Sequence, residues 1–460
     1  MSDTLFLETV HASGVAHVSY VIGHDGQAAV VDPRRDTDVY VEIARKHQSR
    51  ITHIFETHKN EDYVTGSLDL QRRSGADIYH GKGLEWEFGK IVADGDTFQL
   101  GDIRLRVLQT PGHTDESISL ALSDVAFSDD PVAVFTGDAL FLGDVGRTDF
   151  YPDRAEEVAG LLYDSIFEKI LPLGDHVLLY PAHGAGSVCG SGMAAREFST
   201  LGYERKFNPA LQAADRDEFI RNKTGEHHYK PPYFKKMEEY NKNGSAPPMK
   251  EAPNPQTMTP EAFEQAMDDG AQVIDLREPE AFAGAFVPGS LNIPLDMLSA
   301  YGGYLLSYER PILLVADDPR DVSKAVVHFL RIGYDRVEGY LHDGLHGWET
   351  SGRELDGLSI ITAGQLKKKL GTNDAPMILD VRKIDEYRDG RLEDAVHMFL
   401  GELQDRIGEL PQGRPVVTFC GSGRRASIAA SILRRHGVQT VSNNLGSMAA
   451  CKAVGCEIIK

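Results

Sequence analysis

The 460-residue chain holds only four cysteines, Cys189, Cys420, Cys451 and Cys456, and no two of them stand in a C-x-x-C pair or at zinc-ribbon spacing. That excludes a disulfide framework and fits a reduced, cytoplasmic setting. No apolar run approaches the ~18 residues that span a membrane. The N-terminal stretch MSDTLFLETVHASG lacks the basic-then-apolar layout of a secretory signal. Neither membrane insertion nor secretion is expected. Positive charge is also in deficit, with 48 Lys and Arg against 69 Asp and Glu and a net charge of −21. A nucleic-acid partner needs a basic footprint, so that class is set aside, while local basic pockets for a small anion remain open. What is present is ordinary globular composition, 41% apolar and 25% charged. At roughly 150 residues per domain, the length suits about three domains.

Residues 1–200 read as alternating strands and helices. Val15–Ile22 and Ala28–Val31 suit a hairpin around Asp25-Gly26. Ile51–Thr57 is a strand running into His58, Ile103–Thr110 a strand ending in Pro111-Gly112-His113, and Val132–Thr136 a buried strand ending at Gly137-Asp138. Arg154–Ile170 has helical spacing, and Val177–Tyr180 is a strand ending at Pro181-Ala182-His183. The polar residues of interest thus fall at strand ends, where α/β folds place their sites. Residues 201–255 are Pro-rich and Lys/Glu-rich, which predicts a helical connector followed by a linker. Beyond it the chain repeats itself. Val273–Arg277 (VIDLR) matches Ile378–Arg382 (ILDVR) about 105 residues later, and Gly333 matches Gly437. A strand–loop–helix repeat of that length means two small α/β domains, at 256–353 and 359–460.

Four motifs carry the candidate chemistry of the first domain: Thr57-His58-Lys59-Asn60-Glu61-Asp62-Tyr63, Pro111-Gly112-His113-Thr114, Thr136-Gly137-Asp138 and Pro181-Ala182-His183-Gly184. Any one of them is weak, since a lone strand-end histidine is commonly structural. Together and in this order they resemble the metallo-β-lactamase superfamily. The resemblance implies an αββα sandwich with metal ligands at strand ends. Two-metal members carry T-H-x-H-x-D-H, and here Asn60 stands at the second His position and Tyr63 at the third. An amide and a phenol are poor substitutes for imidazole. His58, His113 and Asp138 survive, two histidines and one carboxylate, the ligand set of mononuclear non-haem Fe(II). This is the set of the persulfide dioxygenases, which oxidise R–S–SH with O2 to sulfite and R–SH, and Gly143–Phe150 also resembles that branch. The resemblance implies one Fe(II) per chain. It also implies that Asp62, Tyr63 and His183 orient ligands and bound water. Arg147 is a candidate for an anionic thiol carrier. Asn60 departs from the His usual at its position.

In the last domain the apolar strand Val416–Phe419 ends in Cys420-Gly421-Ser422-Gly423-Arg424-Arg425 before a helix. A glycine-rich loop at a helix N-terminus turns N–H groups inward and favours a thiolate or a persulfide anion on Cys420. The loop resembles that of the rhodanese family, with Asp380 and Arg382 matching an upstream D-x-R signature and Arg424 and Arg425 as candidate anion-binding residues. Ala426 stands where a C-x5-R phosphatase needs its Arg, which argues against phosphate-ester chemistry. Cys189, Cys451 and Cys456 read as structural. In the middle domain Ala316 takes the place of Cys420, followed by Asp317 and Asp318, which predicts a rhodanese domain without sulfur chemistry.

The whole order resembles bacterial metallo-β-lactamase/rhodanese fusion proteins of sulfide detoxification. It implies a persulfide dioxygenase coupled to a sulfurtransferase that makes or uses thiosulfate, with a thiol persulfide, O2 and sulfite or thiosulfate as partners, in a homo-oligomer. The rival readings are a metallo-thioesterase of the hydroxyacylglutathione hydrolase kind and a non-catalytic sulfur carrier or redox protein using only Cys420.

Overall fold

The computed structural model describes residues 5–187, 192–249, 253–411 and 413–460, so Cys189 lies outside the described residues. The chain forms two compact units: residues 1–252 with 330–333, and residues 253–329 with 334–460. Among the described residues, no helix is long and apolar enough to cross a membrane.

Among the described residues the first unit holds eleven strands, β1 (Phe6–Ala12), β2 (His17–His24), β3 (Gln27–Val31), β4 (Arg50–Glu56), β5 (Asp77–Gly81), β6 (Lys90–Val92), β7 (Thr97–Leu100), β8 (Ile103–Gln109), β9 (Ile118–Asp124), β10 (Ala133–Gly137) and β11 (Leu178–Pro181). One sheet runs β1-β2-β3-β4-β5-β6 and the other β11-β10-β9-β8-β7. The expected hairpin joins β2 to β3 in the register His24↔Gln27, and its two turn residues Asp25 and Gly26 both have positive φ, as a two-residue hairpin requires.

Side-chain alternation explains the layering. Tyr20, Ile22, Val31 and Phe55 of the first sheet meet Leu105, Val107, Leu120 and Phe135 of the second in one core. Val21, Val30 and Ile54 point the other way, onto α1 (Asp38–Lys46) and α2 (Ser67–Ser74) through Tyr40, Ala44 and Leu70. On the far side, Val134 and Leu179 pack on α3 (Ala155–Asp164), whose last turn continues as a π-helical segment, Ser165–Ile170. The result is the expected αββα sandwich. The segment read from sequence as a connector belongs to this unit. Its helices α4 (Leu201–Phe207), α5 (Arg216–Thr224) and α6 (Phe234–Asn243) bury Leu201, Phe219, Phe234 and Met237.

The second unit contains two copies of one fold. Strands β12 (Gln256–Met258), β13 (Gln272–Asp275), β14 (Leu291–Asn292), β15 (Ile312–Val315) and β16 (Val337–Leu341) form a sheet in the order β12-β16-β15-β13-β14. Strands β17 (Ser359–Thr362), β18 (Met377–Asp380), β19 (Val396–His397), β20 (Val416–Phe419) and β21 (Val441–Leu445) repeat it as β17-β21-β20-β18-β19. All pairings in both sheets are parallel. Burial on both faces therefore selects short, mainly apolar strands such as ILLV and VVTF, and the strands QVID and MILD stay apolar until their final aspartate.

Candidate functional site

The sandwich brings its strand-end motifs to one point. His58 follows β4, His113 follows β8, Asp138 follows β10 and His183 follows β11, and each is at most 2% exposed. Two glycines make the approach possible. Gly137 has φ +53, and a Cβ there would sit 2.5 Å from Thr57 Oγ1; Gly112 has φ +139, and a Cβ there would sit 2.4 Å from the Leu162 backbone.

Both imidazoles have their tautomer set from behind. Thr57 donates its hydroxyl to Asp32 Oδ2 at 2.8 Å, so at 2.9 Å it accepts from His58 Nδ1–H. His113 Nδ1–H donates to the Arg147 carbonyl at 2.9 Å. In each ring this leaves Nε2 as the bare nitrogen, the arrangement metal-ligating histidines adopt. His58 Nε2 and His113 Nε2 lie 3.7 and 3.6 Å from Asp138 Oδ2. His58 Nε2 and Asp138 Oδ2 have no hydrogen-bond partner among the described residues, and His113 Nε2 has only the Glu61 carboxylate beside it, at 3.2 Å. Three such ligand atoms turned on one point fit a metal ion.

Asp138 is itself fixed by a chain of charges. His183 Nδ1 donates to Asp138 Oδ1 at 2.7 Å, and His183 Nε2 lies 3.0 Å from Asp62 Oδ2. Burial works against charge on all three. The carboxylates of Asp138 and Asp62 nonetheless hold the His183 imidazolium well above its usual range, and His183 and His58 hold Asp138 far below the usual carboxylate range. Burial pushes His58 down to about 4.

The two departures from the two-metal pattern have clear geometry. Asn60 takes a left-handed backbone, φ +48, and its Nδ2 donates to the His58 carbonyl at 3.0 Å. Asn tolerates that conformation better than most residues. Tyr63 is fully buried and stacks on His17 at 4.1 Å between centroids; burial first, then Asp32 and Asp62, raise its phenol well above its usual range. A phenol so disfavoured from ionising does not replace an imidazole ligand.

Several contributors carry little or no signal in the sequence. Asp32 orients Thr57 through Oδ1 to its N–H at 2.7 Å. Asn241 of α6 points its Nδ2 at the carbonyls of Lys59, Asn60 and Tyr63 at 2.9, 2.6 and 2.8 Å, clamping the ligand loop. Glu61, fully buried, places Oε1 3.2 Å from His113 Nε2, and His58, Glu61 and His113 form a second metal-compatible cluster. Glu61 lies inside the His58 motif, where its position could have marked it; Asn241 has no local pattern at all.

Arg147 differs from its expectation. It is 1% exposed, forks onto Asp149 at 2.6 and 2.6 Å, and lies over the Phe150 ring. Its guanidinium is occupied by that pair, and what it gives the site is the carbonyl that orients His113.

In the second unit, Cys420 closes β20, and its Sγ accepts the Gly423 N–H at 3.1 Å. Gly423 has φ +102 and begins the helix Arg424–Arg435. Ser447 Oγ accepts the Cys420 N–H at 3.1 Å, and the loop is tied to the next helix by Met448 N–H to Cys420 O at 3.0 Å. The thiol is 1% exposed. The two arginines expected to face an anion have acidic partners instead. Arg425 forks onto Glu386 at 2.6 and 2.7 Å, and Arg424 pairs with Glu278 and Asp296 of the middle domain at 2.9 and 2.6 Å. Ala316 closes β15 as Cys420 closes β20.

Comparison with known proteins agrees with this geometry. The metallo-beta-lactamase superfamily profile matches residues 12–183, and the rhodanese-like domain profile matches 259–351 and 362–453. The chain is 30% identical over 215 residues to the mitochondrial persulfide dioxygenase ETHE1 of Bos taurus, covering 44% of this chain and 74% of that protein. It is 29% identical over 219 residues to the Homo sapiens protein of the same name, with the same 44% and 74% shares. A solved metallo-beta-lactamase from Staphylococcus aureus subsp. aureus COL superposes with a TM-score of 0.66 and 32% identity, covering 74% of this chain and 99% of that one. The chain belongs to the metallo-beta-lactamase superfamily, with a first domain homologous to persulfide dioxygenase and two rhodanese-like domains behind it.

Proposed function

We propose that the first domain is a mononuclear iron(II) persulfide dioxygenase and that the last domain is a sulfurtransferase working on the same sulfur. The observation that carries the first half is the trio of ligand atoms, His58 Nε2, His113 Nε2 and Asp138 Oδ2, beside a turned-away Asn60 and a phenolic Tyr63. That supports one metal ion rather than a hydrolytic pair. His58, His113 and Asp138 would hold iron(II), which would supply the redox chemistry that activates O2 toward a persulfide.

The chain's own residues do the rest. Thr57 and the Arg147 carbonyl hold two imidazoles in the ligating tautomer. His183 keeps Asp138 ionised and aimed, holding its own proton between Asp138 and Asp62. Burial of the ligand side chains limits competing water. The overall change is R–S–SH + O2 + H2O to R–SH + sulfite + two protons. In the last domain, a persulfide on Cys420 would pass its outer sulfur to sulfite, breaking the S–S bond, forming thiosulfate and leaving the Cys420 thiolate. Ala316 lacks the sulfur for that step, so the middle domain takes no part in it.

Iron content and oxygen uptake test the reading. Protein purified anaerobically with iron should hold about one iron per chain and consume O2 with a thiol persulfide, and His113→Ala should lose both. Two tightly held zinc ions with thioesterase activity would overturn it, as would a protein that binds iron and takes up no oxygen with any of glutathione, coenzyme A, cysteine or bacillithiol persulfide.

A further inference from the structure

Two carboxylates, not one, face the pair of imidazoles. Asp138 Oδ2 stands 3.7 and 3.6 Å from His58 Nε2 and His113 Nε2. Glu61 Oε1 stands 3.2 Å from His113 Nε2, and a Glu61 carboxylate oxygen lies within 4.8 Å of ligand nitrogens of both histidines. We propose that Glu61 is a further protein ligand of the metal ion held by His58, His113 and Asp138, a proposal that rests on the single-metal reading above.

The local backbone explains how Glu61 arrives. Asn60 occupies the position where two-metal relatives carry a ligand histidine, but its left-handed φ of +48 and its bond to the His58 carbonyl take its amide out of the metal position. Asn241 holds that loop from beneath through the carbonyls of Lys59, Asn60 and Tyr63. With residue 60 turned aside, residue 61 enters instead, and its side chain is fully buried. Its oxygen and the ring nitrogens of His58 and His113 then stand within 4.8 Å of one another, as ligands of one ion do.

The added ligand changes the chemistry in a defined way. Two imidazoles and one carboxylate leave a divalent ion with a net single positive charge. A second carboxylate makes the centre neutral. It would also leave one fewer position on the ion for substrate or water.

Cobalt(II) serves as the probe, added to the full chain freed of metal. Glu61→Gln should weaken cobalt affinity by about 10–100-fold, but a carboxylate in the outer shell has the same effect, so affinity alone does not decide. The deciding readouts are spectroscopic. The visible d–d bands of the cobalt protein should change in position and intensity in Glu61→Gln. Independently of any variant, protein labelled with 13C only at glutamate carboxylates should show, on cobalt addition, an infrared difference band from a glutamate whose symmetric and antisymmetric stretches change their separation. Asp138 keeps its 12C frequency, so the isotope shift tells the two carboxylates apart. Unchanged d–d bands in a folded Glu61→Gln protein, or no metal-induced glutamate band, would overturn the assignment. If Glu61→Gln fails to fold, the labelled native chain still decides. Oxygen uptake by the unaltered protein tests the dioxygenase reading separately: a glutamate band without oxygen uptake keeps the ligand and removes that reading.

Discussion

The two rhodanese-like copies differ where chemistry is done and agree where the chain is held. Both sheets have the same strand order. Both carry an Asp-x-Arg clamp: Arg277 Nη2 meets Asp275 Oδ2 at 2.6 Å and continues to the Ala285 carbonyl at 2.8 Å, and Arg382 Nη2 meets Asp380 Oδ2 at 2.6 Å and continues to the Gly390 carbonyl at 2.8 Å. The loops that follow β15 and β20 do not agree. One is Ala316-Asp317-Asp318, with an exposed Arg320–Asp318 pair; the other curls Gly423 N–H onto a buried Cys420 sulfur. The D-x-R signature therefore marks the fold and says nothing about activity. The copy with Ala316 in place of the cysteine keeps the clamp because the clamp ties a strand end to the turn after the next helix.

The largest expected effect separates the loops. Cys420→Ser should abolish sulfur transfer from thiosulfate to a thiol while iron-dependent persulfide oxidation stays measurable. Ala316→Cys in that background should restore none of it, because the middle loop places Asp317 and Asp318 beside the new thiol, where they repel an anionic sulfur donor. Transfer restored by Ala316→Cys would break the comparison and make the missing sulfur the only difference between the copies.

Next comes what the copies share. Arg277→Ala and Arg382→Ala each leave a fully buried aspartate without its fork. Removing one partner of a buried pair costs about 3–5 kcal/mol. Chemical denaturation should find a loss of that order for each variant. A loss confined to Arg382→Ala would mean that the clamp serves the cysteine loop rather than the fold.

Alkylation sharpens the view of the loop itself. Burial and the neighbouring Cys456 thiol push the Cys451 thiol up to about 12. A thiol is alkylated as its thiolate, so Cys451 is unreactive at any ordinary pH. Cys420, whose sulfur receives a backbone N–H, should be labelled ahead of Cys451 in peptide mapping. Labelling of Cys451 first would remove the proposed active loop.

Much of this is legible in the sequence for a physical reason. His58, His113, Asp138, His183 and Cys420 each stand within four residues of the end of a strand, so periodicity locates them, and the return of VIDLR as ILDVR is enough to reveal two copies of one domain. What escapes depends on contacts distant along the chain. Asp32 reaches Thr57 from 25 residues away and Asn241 reaches Lys59 from 182, and neither has a local pattern. The three-residue strand β6 is too short to alternate visibly. The arginines mislead for the same reason. Arg147, Arg424 and Arg425 look like anion receptors while only their charge is visible, and the fold supplies Asp149, Glu278, Asp296 and Glu386 as partners. Of these four, Asp149 alone is close enough in sequence to be suspected.

The smallest effect compares the two loop ion pairs. Arg320–Asp318 is local and lies at the surface, with 85% and 36% side-chain exposure, whereas Arg425–Glu386 joins two elements 39 residues apart at 16% and 39%. Burial opposes ionisation of Glu386, but the hydrogen-bonded Arg425 lowers its pKa below the usual carboxylate value. A carboxylate depressed in the folded state stabilises the fold above its unfolded pKa of about 4.3, and that stability disappears as pH falls through the folded value. Glu386→Gln should therefore destabilise the fold at neutral pH by the roughly 0.5–1 kcal/mol of a partly exposed pair, seen as a lowered Tm, and the difference from the native protein should close as pH drops below about 4. Asp318→Asn should leave Tm nearly unchanged across the same range, as exposed pairs do. Thermal melts of both variants from neutral pH downward measure this. A Glu386→Gln difference that persists undiminished in acid would show that Glu386 stabilises the fold by something other than its charge, and no difference at neutral pH would show that Arg425 does not depend on it.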